Sequence, residues 1–397
     1  MKKILASLLT ILLLTFAFVS CNLDGTSGIF REIALSKAPL SIRYKQLLGI
    51  NGTDLYFRTA NGVERVTTAK VNTRVATSTF ENIIQAAALY TATDKLFFIT
   101  NNEPERTGNI VNVVDTTDPS FTKSPITVTS TDTTSSLSGL SIKSLYANSM
   151  IMVTGNSGVT KIFELLLYDT VTNNFKSTTY GEFISVPVGY DVENVIQQTA
   201  KEQDATAPML VSFVNGTGSR EHYLVNPAGA ALTSLGTENV KIANFFYYNA
   251  TNIFVLTTDG DLYHVNQTTA TWTSIGSSSK VYEQNAFALA VVGNGALYHF
   301  ITKPSSKTSA IHVFTIDTAS PLVNIGAGVD VSSGYAEEIS LATIVSAQQK
   351  LPIIAGTTDL LVATEENGMY DISITNVSAN VDDGSNGLTL GAEEYSF

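Results

Sequence analysis

Four histidines, His222, His264, His299 and His312, are the side chains of this 397-residue sequence best suited to move a proton near neutral pH or to hold a transition metal. Each stands in a run that alternates as a strand would, as in Tyr263-His264-Val265. No two lie at i, i+2 or i, i+4, the spacings that bring two imidazoles to one face of a strand or helix. Half-exposed strand positions therefore account for them better than a metal site or a general base. Tyr180-Gly181-Glu182 and Tyr335-Ala336-Glu337-Glu338 put acids in loops. Paired carboxylates could cleave a glycosidic bond, but spacing along the chain does not bring two acids together. A Gly-x-Ser-x-Gly nucleophile turn does not occur. No catalytic residue is assigned, and a binding protein is favoured over an enzyme.

Asp382-Asp383-Gly384-Ser385-Asn386-Gly387, with Glu393 at the twelfth position, resembles a calcium loop. Asp382, Asn386 and Glu393 would be the ligands, and calcium the cofactor. Gly384 offers no side-chain oxygen at the third position, and no helical pattern flanks the loop. A turn is the better reading, so no cofactor is assigned. Asn-x-Thr triplets begin at Asn51, Asn215, Asn249 and Asn266. These are glycan acceptors in a eukaryotic secreted protein and turns in a bacterial one.

The chain opens Met1-Lys2-Lys3 and continues with an apolar run from Ile4 to Val19. That run is shorter than the roughly 20 residues a spanning helix needs. A positive start, a short apolar core and a small residue before a cut site read as a signal peptide over 1–20. Phe18-Val19-Ser20-Cys21 resembles the bacterial lipobox, with Phe18 in place of the usual Leu. Cys21 is the chain's one cysteine, so no internal disulfide can form. The resemblance implies a diacylglyceryl thioether on Cys21 and an N-acyl (palmitate-type) chain beside it. Several acyl chains anchor firmly where one is marginal. Residues 21–28 would be the lipidated tether. Asn22 lacks the aspartate that resembles an inner-membrane retention signal, which favours the outer membrane within the cell envelope.

The formal charge is −12, with 35 acidic against 23 basic residues. Such a balance argues against nucleic acid and against electrostatic adhesion to anionic lipid. Charged residues are only 15% of the chain, and Thr, Ser and Asn take their place, which suits exposed strand faces and turns. Apolar residues are 44%, enough for a large core.

Strand–turn–strand units recur along 29–397. Leu55, Leu96, Met150, Met209, Ile253, Leu297 and Leu360 mark seven of them, with a mean spacing of about 51 residues. Asn61-Gly62, Asp259-Gly260 and Asn367-Gly368 supply hairpin turns whose centres need positive φ. A strand-rich period of this length predicts a β-propeller of seven four-stranded blades; six or eight blades, two sandwiches or a solenoid are the alternatives. Gln85–Tyr90, Ile142–Tyr146 and Ile242–Tyr247 are the expected innermost strands. Closure is expected to pair Ile29–Ile33 with Gly391–Phe397, because a closed ring removes exposed edges. Thr127–Ser138 is expected to be a loop.

The stretch Asp259-Gly260-Asp261-Leu262-Tyr263-His264, followed by Thr271-Trp272, resembles a quinoprotein-type blade. Asp359–Thr364 with Gly368-Met369-Tyr370 is similar to an NHL-like propeller hairpin. The resemblance implies a ring of loops on two faces, where binding would reside. The expected function is a monomeric, membrane-anchored scaffold that binds an envelope protein or an extracellular ligand. The alternatives are a propeller-type factor for outer-membrane protein assembly, and a carbohydrate-binding or hydrolytic propeller.

Overall fold

The computed structural model describes residues 44–394 apart from 70, 79–82, 101–109, 129–137, 148–149, 158–159, 178–183, 199–203, 205, 226–231, 283–296, 306–310, 318–328, 332–343, 350–356, 365–367 and 376–388. The chain divides into two compact units, Met1–Ile42 and Arg43–Phe397, and every described residue belongs to the second.

Consecutive strands pair with one another throughout that unit. The first sheet holds β1 (Tyr44–Asn51), β2 (Asp54–Thr59), β3 (Gly62–Val66) and β4 (Asn72–Thr77). The second holds β5 (Ile84–Tyr90), β6 (Lys95–Thr100), β7 (Ile110–Asp115) and β8 (Lys123–Thr127). The third holds β9 (Ser138–Leu145), β10 (Met150–Ser157), β11 (Thr160–Asp169), β12 (Asn174–Ser177) and the short β13 (Ile184–Ser185). The fourth runs β14 (Tyr190–Gln197), β15 (Met209–Asn215), β16 (Arg220–Val225), β17 (Leu232–Gly236). The fifth runs β18 (Ile242–Asn249), β19 (Asn252–Thr257), β20 (Asp261–Asn266), β21 (Thr271–Ser277). The sixth shows β22 (Leu297–Thr302), β23 (Ile311–Asp317) and β24 (Val329–Val331). The seventh holds β25 (Ile344–Gln349), β26 (Thr357–Thr364), β27 (Gly368–Thr375) and β28 (Thr389–Glu394). Every pairing is antiparallel.

These sheets pack face to face in chain order. Strands covered on both sides read as continuous apolar runs, as in Met209-Leu210-Val211-Ser212-Phe213, where every residue is buried. Val211 and Phe213 turn toward Phe163 and Leu165 of the third sheet. Leu210 and Leu224 meet Phe245, Ile253 and Val255 of the fifth. The same interleaving joins the first sheet to the second, the second to the third, and the fifth to the sixth. Each fully buried Phe contributes about 1.5–3 kcal/mol. The first strands β1, β5 and β9 lie side by side, and β1 also lies against β25 and β26, so the last sheet meets the first. The fold is an all-β propeller with the first strand of each sheet innermost. The expected innermost segments fall on the first strands β5, β9 and β18.

One expectation needs correction and another is untested. The C-terminal seam candidate Gly391–Phe397 falls largely in β28, which pairs with β27 as the fourth strand of its own sheet. Among the described residues no strand crosses the junction, and β1 packs beside β25 and β26. Ile29–Ile33 lies outside the described residues, as does most of the Thr127–Ser138 loop.

The Asn61-Gly62 hairpin also turns differently. Thr59 pairs with Gly62, so Ala60 and Asn61 are the turn centre and neither has positive φ. Glycine is needed one residue later, at φ +142°, where a Cβ would lie 2.0 Å from the Ala76 carbonyl oxygen. At the Thr258-Asp259-Gly260 turn, Gly260 takes φ +98° as expected, and a Cβ there would lie 2.3 Å from Lys280 O and 2.7 Å from Ser278 O. Gly52, by contrast, has φ +61° and open space around it. Gly260→Ala should cost about 2–4 kcal/mol, combining strain with a backbone clash, and Gly52→Ala about 1 kcal/mol of strain alone. Urea unfolding of the two variants would measure the difference.

Candidate functional site

Chain direction puts two kinds of connection at one end of the propeller. The second-to-third strand turns and the links from one sheet to the next both lie there, at the start of each innermost strand. This end is the axial mouth. The register shows what it is built from. In β1 the ladder passes from Tyr44↔Thr59 to Gln46↔Arg58 and skips Lys45. The same one-residue slip skips Gln85 in β5, Lys143 in β9, Glu193 in β14, Ala243 in β18 and Val345 in β25. Six of the seven sheets therefore carry such a bulge in the first strand described; in the sixth, β22 pairs with β23 without a slip. A bulge bends its strand and re-aims the side chains beside it, and such bulges favour barrel rims and sites. Lys45, Gln85 and Lys143 are exposed there, while Ala243 is buried.

Charged groups at the fourth sheet are tied together. Arg220 Nε and Nη2 donate to the two carboxylate oxygens of Glu193 at 2.9 and 2.8 Å, and Nη1 donates to Gly218 O at 3.1 Å. The Glu193 hydrogen bond raises the Arg220 pKa above its ordinary value. A planar fork against a carboxylate fixes orientation as well as charge. Beside it, Tyr223 donates its hydroxyl proton to Glu221 at 2.8 Å. Burial first, and then Glu221, push that phenol up to about 12. Lys161 pairs with Asp191 across the junction of the third and fourth sheets.

The opposite end is closed by Asx turns. Asp115, Asp118, Asp169, Asn249 and Asn266 each accept backbone N–H groups two to four residues on. Asn215 does the same at the mouth. All four Asn-x-Thr triplets thus fall at turns, as expected, Asn51-Gly52-Thr53 at the turn between β1 and β2. The Asn51 side chain, however, donates to Asp94 Oδ1 at 2.7 Å and Thr116 Oγ1 at 3.0 Å, joining the first sheet to the second. Arg65 reinforces that junction, 3.5 Å from Asp54 and stacked 4.9 Å over the Phe121 ring.

The histidines are more deeply placed than the sequence suggested. His222, His264 and His312 are buried rather than half-exposed, because both faces of their sheets are covered. His222 Nε2 lies 2.9 Å from Glu238 O, so it carries the proton, and Nδ1 accepts from the Ser212 hydroxyl at 2.9 Å. His264 Nε2 lies 2.9 Å from Thr251 O and 3.0 Å from Asn252 Oδ1, and so donates to them. His312 stacks edge-on to Phe314. His299 falls on β22, opposite Thr315. The rings of His222 and His264 are internal ties between turns and strands. Trp272 has a related part: its indole N–H donates to Leu235 O, so the outer strand of the fifth sheet is fastened to that of the fourth. The aromatic hairpin that resembled a quinoprotein-type blade owes its Trp to this junction.

Of the ligands proposed for calcium, Glu393 sits in β28 opposite Asp371. Asp382 and Asn386 lie outside the described residues, with Cys21, Tyr180–Glu182 and Tyr335–Glu338. Among the described residues no group of three or more His, Cys, Asp or Glu side chains is arranged to hold a metal. The bulge ring and the ion ties were not found in the sequence, because a bulge appears only when both partners of a ladder are known.

No family model matches the chain, and no curated protein does. Solved structures do share its general form. A puromycin hydrolase is 12% identical with a TM-score of 0.49, over 89% of this chain and 54% of that one. A prolyl endopeptidase is 11% identical with a TM-score of 0.46, over 94% of this chain and 57% of that one. Hsv2 of Kluyveromyces lactis is 8% identical with a TM-score of 0.46, over 89% of this chain and 99% of that one. The chain thus spans little more than half of the two hydrolases.

His222 makes a pH prediction. In the unfolded chain it titrates near 6.5. In the fold, burial holds it down to about 4. Below pH 6.5 the unfolded state takes up a proton that the folded state refuses, so stability falls as pH drops from about 6.5 to about 4. The loss attributable to this group is on the order of 3 kcal/mol. His222→Gln should flatten that limb of a melting-temperature-against-pH curve while lowering stability at pH 7, where Ser212 and Glu238 O lose a well-fitted partner.

Proposed function

We propose that this chain is a lipid-anchored protein of the bacterial cell envelope, held by Cys21, whose seven-bladed propeller binds a partner at its axial mouth. The observation that carries the reading is the bulge repeated in the first described strand of six of the seven sheets. It sets exposed Lys45, Gln85 and Lys143 at the mouth, beside Glu193 locked to Arg220. A regular sheet needs no such device, and its recurrence at one end singles that end out. Three of the exposed apolar residues, Ile83, Val188 and Val281, stand on the links at the same end. Function in a propeller resides in its loops, and a tether at Cys21 would keep those loops near a membrane surface. The outer membrane is the favoured leaflet, from Asn22 after Cys21.

Two measurements test this. Cys21→Ala should move the protein from the membrane fraction to the soluble fraction of the native cell; a variant still pelleting with membranes would refute the anchor. A photo-cross-linking residue at Lys143 should capture a discrete envelope component in intact cells, and one at Val171, on the opposite end, should not. Capture from Val171 alone would place binding on the wrong face. Capture of outer-membrane assembly components would select the assembly alternative.

A further inference from the structure

Four arginines are described, and three have carboxylate partners. Arg65 meets Asp54, Arg74 meets Glu64 and Arg220 meets Glu193. Arg58 differs. It is partly buried, and its one hydrogen bond runs from Nη1 to Ile84 O at 3.1 Å. Its Nε–H is buried and meets no acceptor. Burial lowers its pKa, and among the described residues no carboxylate is paired with it. The nearby carboxylate of its own sheet, Glu64, cannot serve: it lies opposite Phe57, on the other face, and is taken by Thr59, Asn72 and Arg74. A partly desolvated guanidinium that meets no carboxylate among the described residues is costly, and folds rarely keep one without a use.

Its place indicates the use. Arg58 is the penultimate residue of β2, at the mouth, on the face turned to the second sheet with Tyr56 and Val63. Gln46, the residue after the Lys45 bulge, stands directly across the ladder from it. Gln85, the exposed bulge residue of β5, follows the Ile84 whose carbonyl holds Nη1. The bond to Ile84 engages Nη1 and Nε is buried, which leaves Nη2; Gln46 across the ladder and Gln85 next to Ile84 bring carboxamides that can donate N–H groups. A single planar cation with neutral amide neighbours matches a carboxylate better than a phosphate dianion, which would call for further cations.

We propose that Arg58, with Gln46 and Gln85, forms a carboxylate-binding subsite between the first and second sheets at the axial mouth. The subsite rests on the reading of the mouth as the binding end. The carboxylate could come from an acidic sugar or from an acidic peptide, and the guanidinium recognises the same group in either.

The test is calorimetric titration of the purified protein with three probes: a glucuronic acid tetrasaccharide, a tetraglutamate peptide and inorganic phosphate. One carboxylate probe is expected to saturate, and which one does so identifies the source. Arg58→Gln should weaken that binding at least tenfold, and Arg58→Lys severalfold, since lysine keeps charge but loses the fork. Without ligand, Arg58→Gln should melt no lower than the wild type, because it removes an uncompensated charge. Unchanged binding in both variants would overturn the subsite, as would phosphate binding as tightly as the carboxylates. Should Arg58→Gln fail to fold, Arg58→Lys binding like wild type overturns it equally. Cross-linking from Lys143 that persists in Arg58→Gln cells, with carboxylate binding lost to neither variant, sinks the subsite and leaves the mouth standing. Loss of cross-linking from Lys143 in the wild type sinks the mouth itself.

Discussion

The second to fifth sheets of this protein are each covered on both faces by their neighbours, and most of the other features follow from that constraint. A strand exposed on one side would alternate apolar and polar residues. β15 and β19 do not: Met209 to Phe213 and Ile253 to Thr257 are buried without a break. Polar side chains caught in these layers must be satisfied internally. Ser212, His222 and Glu238 O accordingly form one closed set, and Thr251, Asn252 and His264 another. The imidazoles stay neutral because a charged ring between two apolar sheets would lose its water and gain no counter-ion.

The two ends of the strands differ in kind. One is stitched by short side-chain-to-backbone bonds from Asp115, Asp118, Asp169, Asn249 and Asn266, which consume the polar groups they present. The other is bent by bulges that leave lysine and glutamine side chains facing outward. Arg58 and Arg220 show the contrast within one end. Arg220 is neutralised by a bulge glutamate, whereas Arg58 stands beside a bulge lysine and a bulge glutamine.

Much of the architecture was legible in the chain. The anchors Leu55, Leu96, Met150, Met209, Ile253 and Leu360 all fall on the second strands of their sheets, and the Ala-rich run before Leu96 is an innermost strand. Period and turn chemistry carry that information locally. What escaped depends on partners distant in sequence. Burial of the histidines requires knowing that both faces are covered. The hairpin at Asn61 was misread because its glycine is required by the approach of Ala76 on the next strand, not by the turn. The bulges at Lys45 and Glu193 exist only relative to β2 and β15. The candidate site is made of such relations, so the sequence offered its residues no distinction.

Sheets completed from consecutive strands also determine how the chain can acquire its form. Each ladder closes within a few dozen residues, so pairing can proceed locally, at low loop-closure cost, as the polypeptide is made. The junction of β1 with β25 and β26 is different, since about 300 residues separate its sides. Leu47, Leu55 and Phe57, on the face of the first sheet turned away from the second, are buried in the finished ring. They wait uncovered until the last sheet arrives. During that interval the nascent propeller presents a sticky flank, and a holding chaperone would have its natural purchase there.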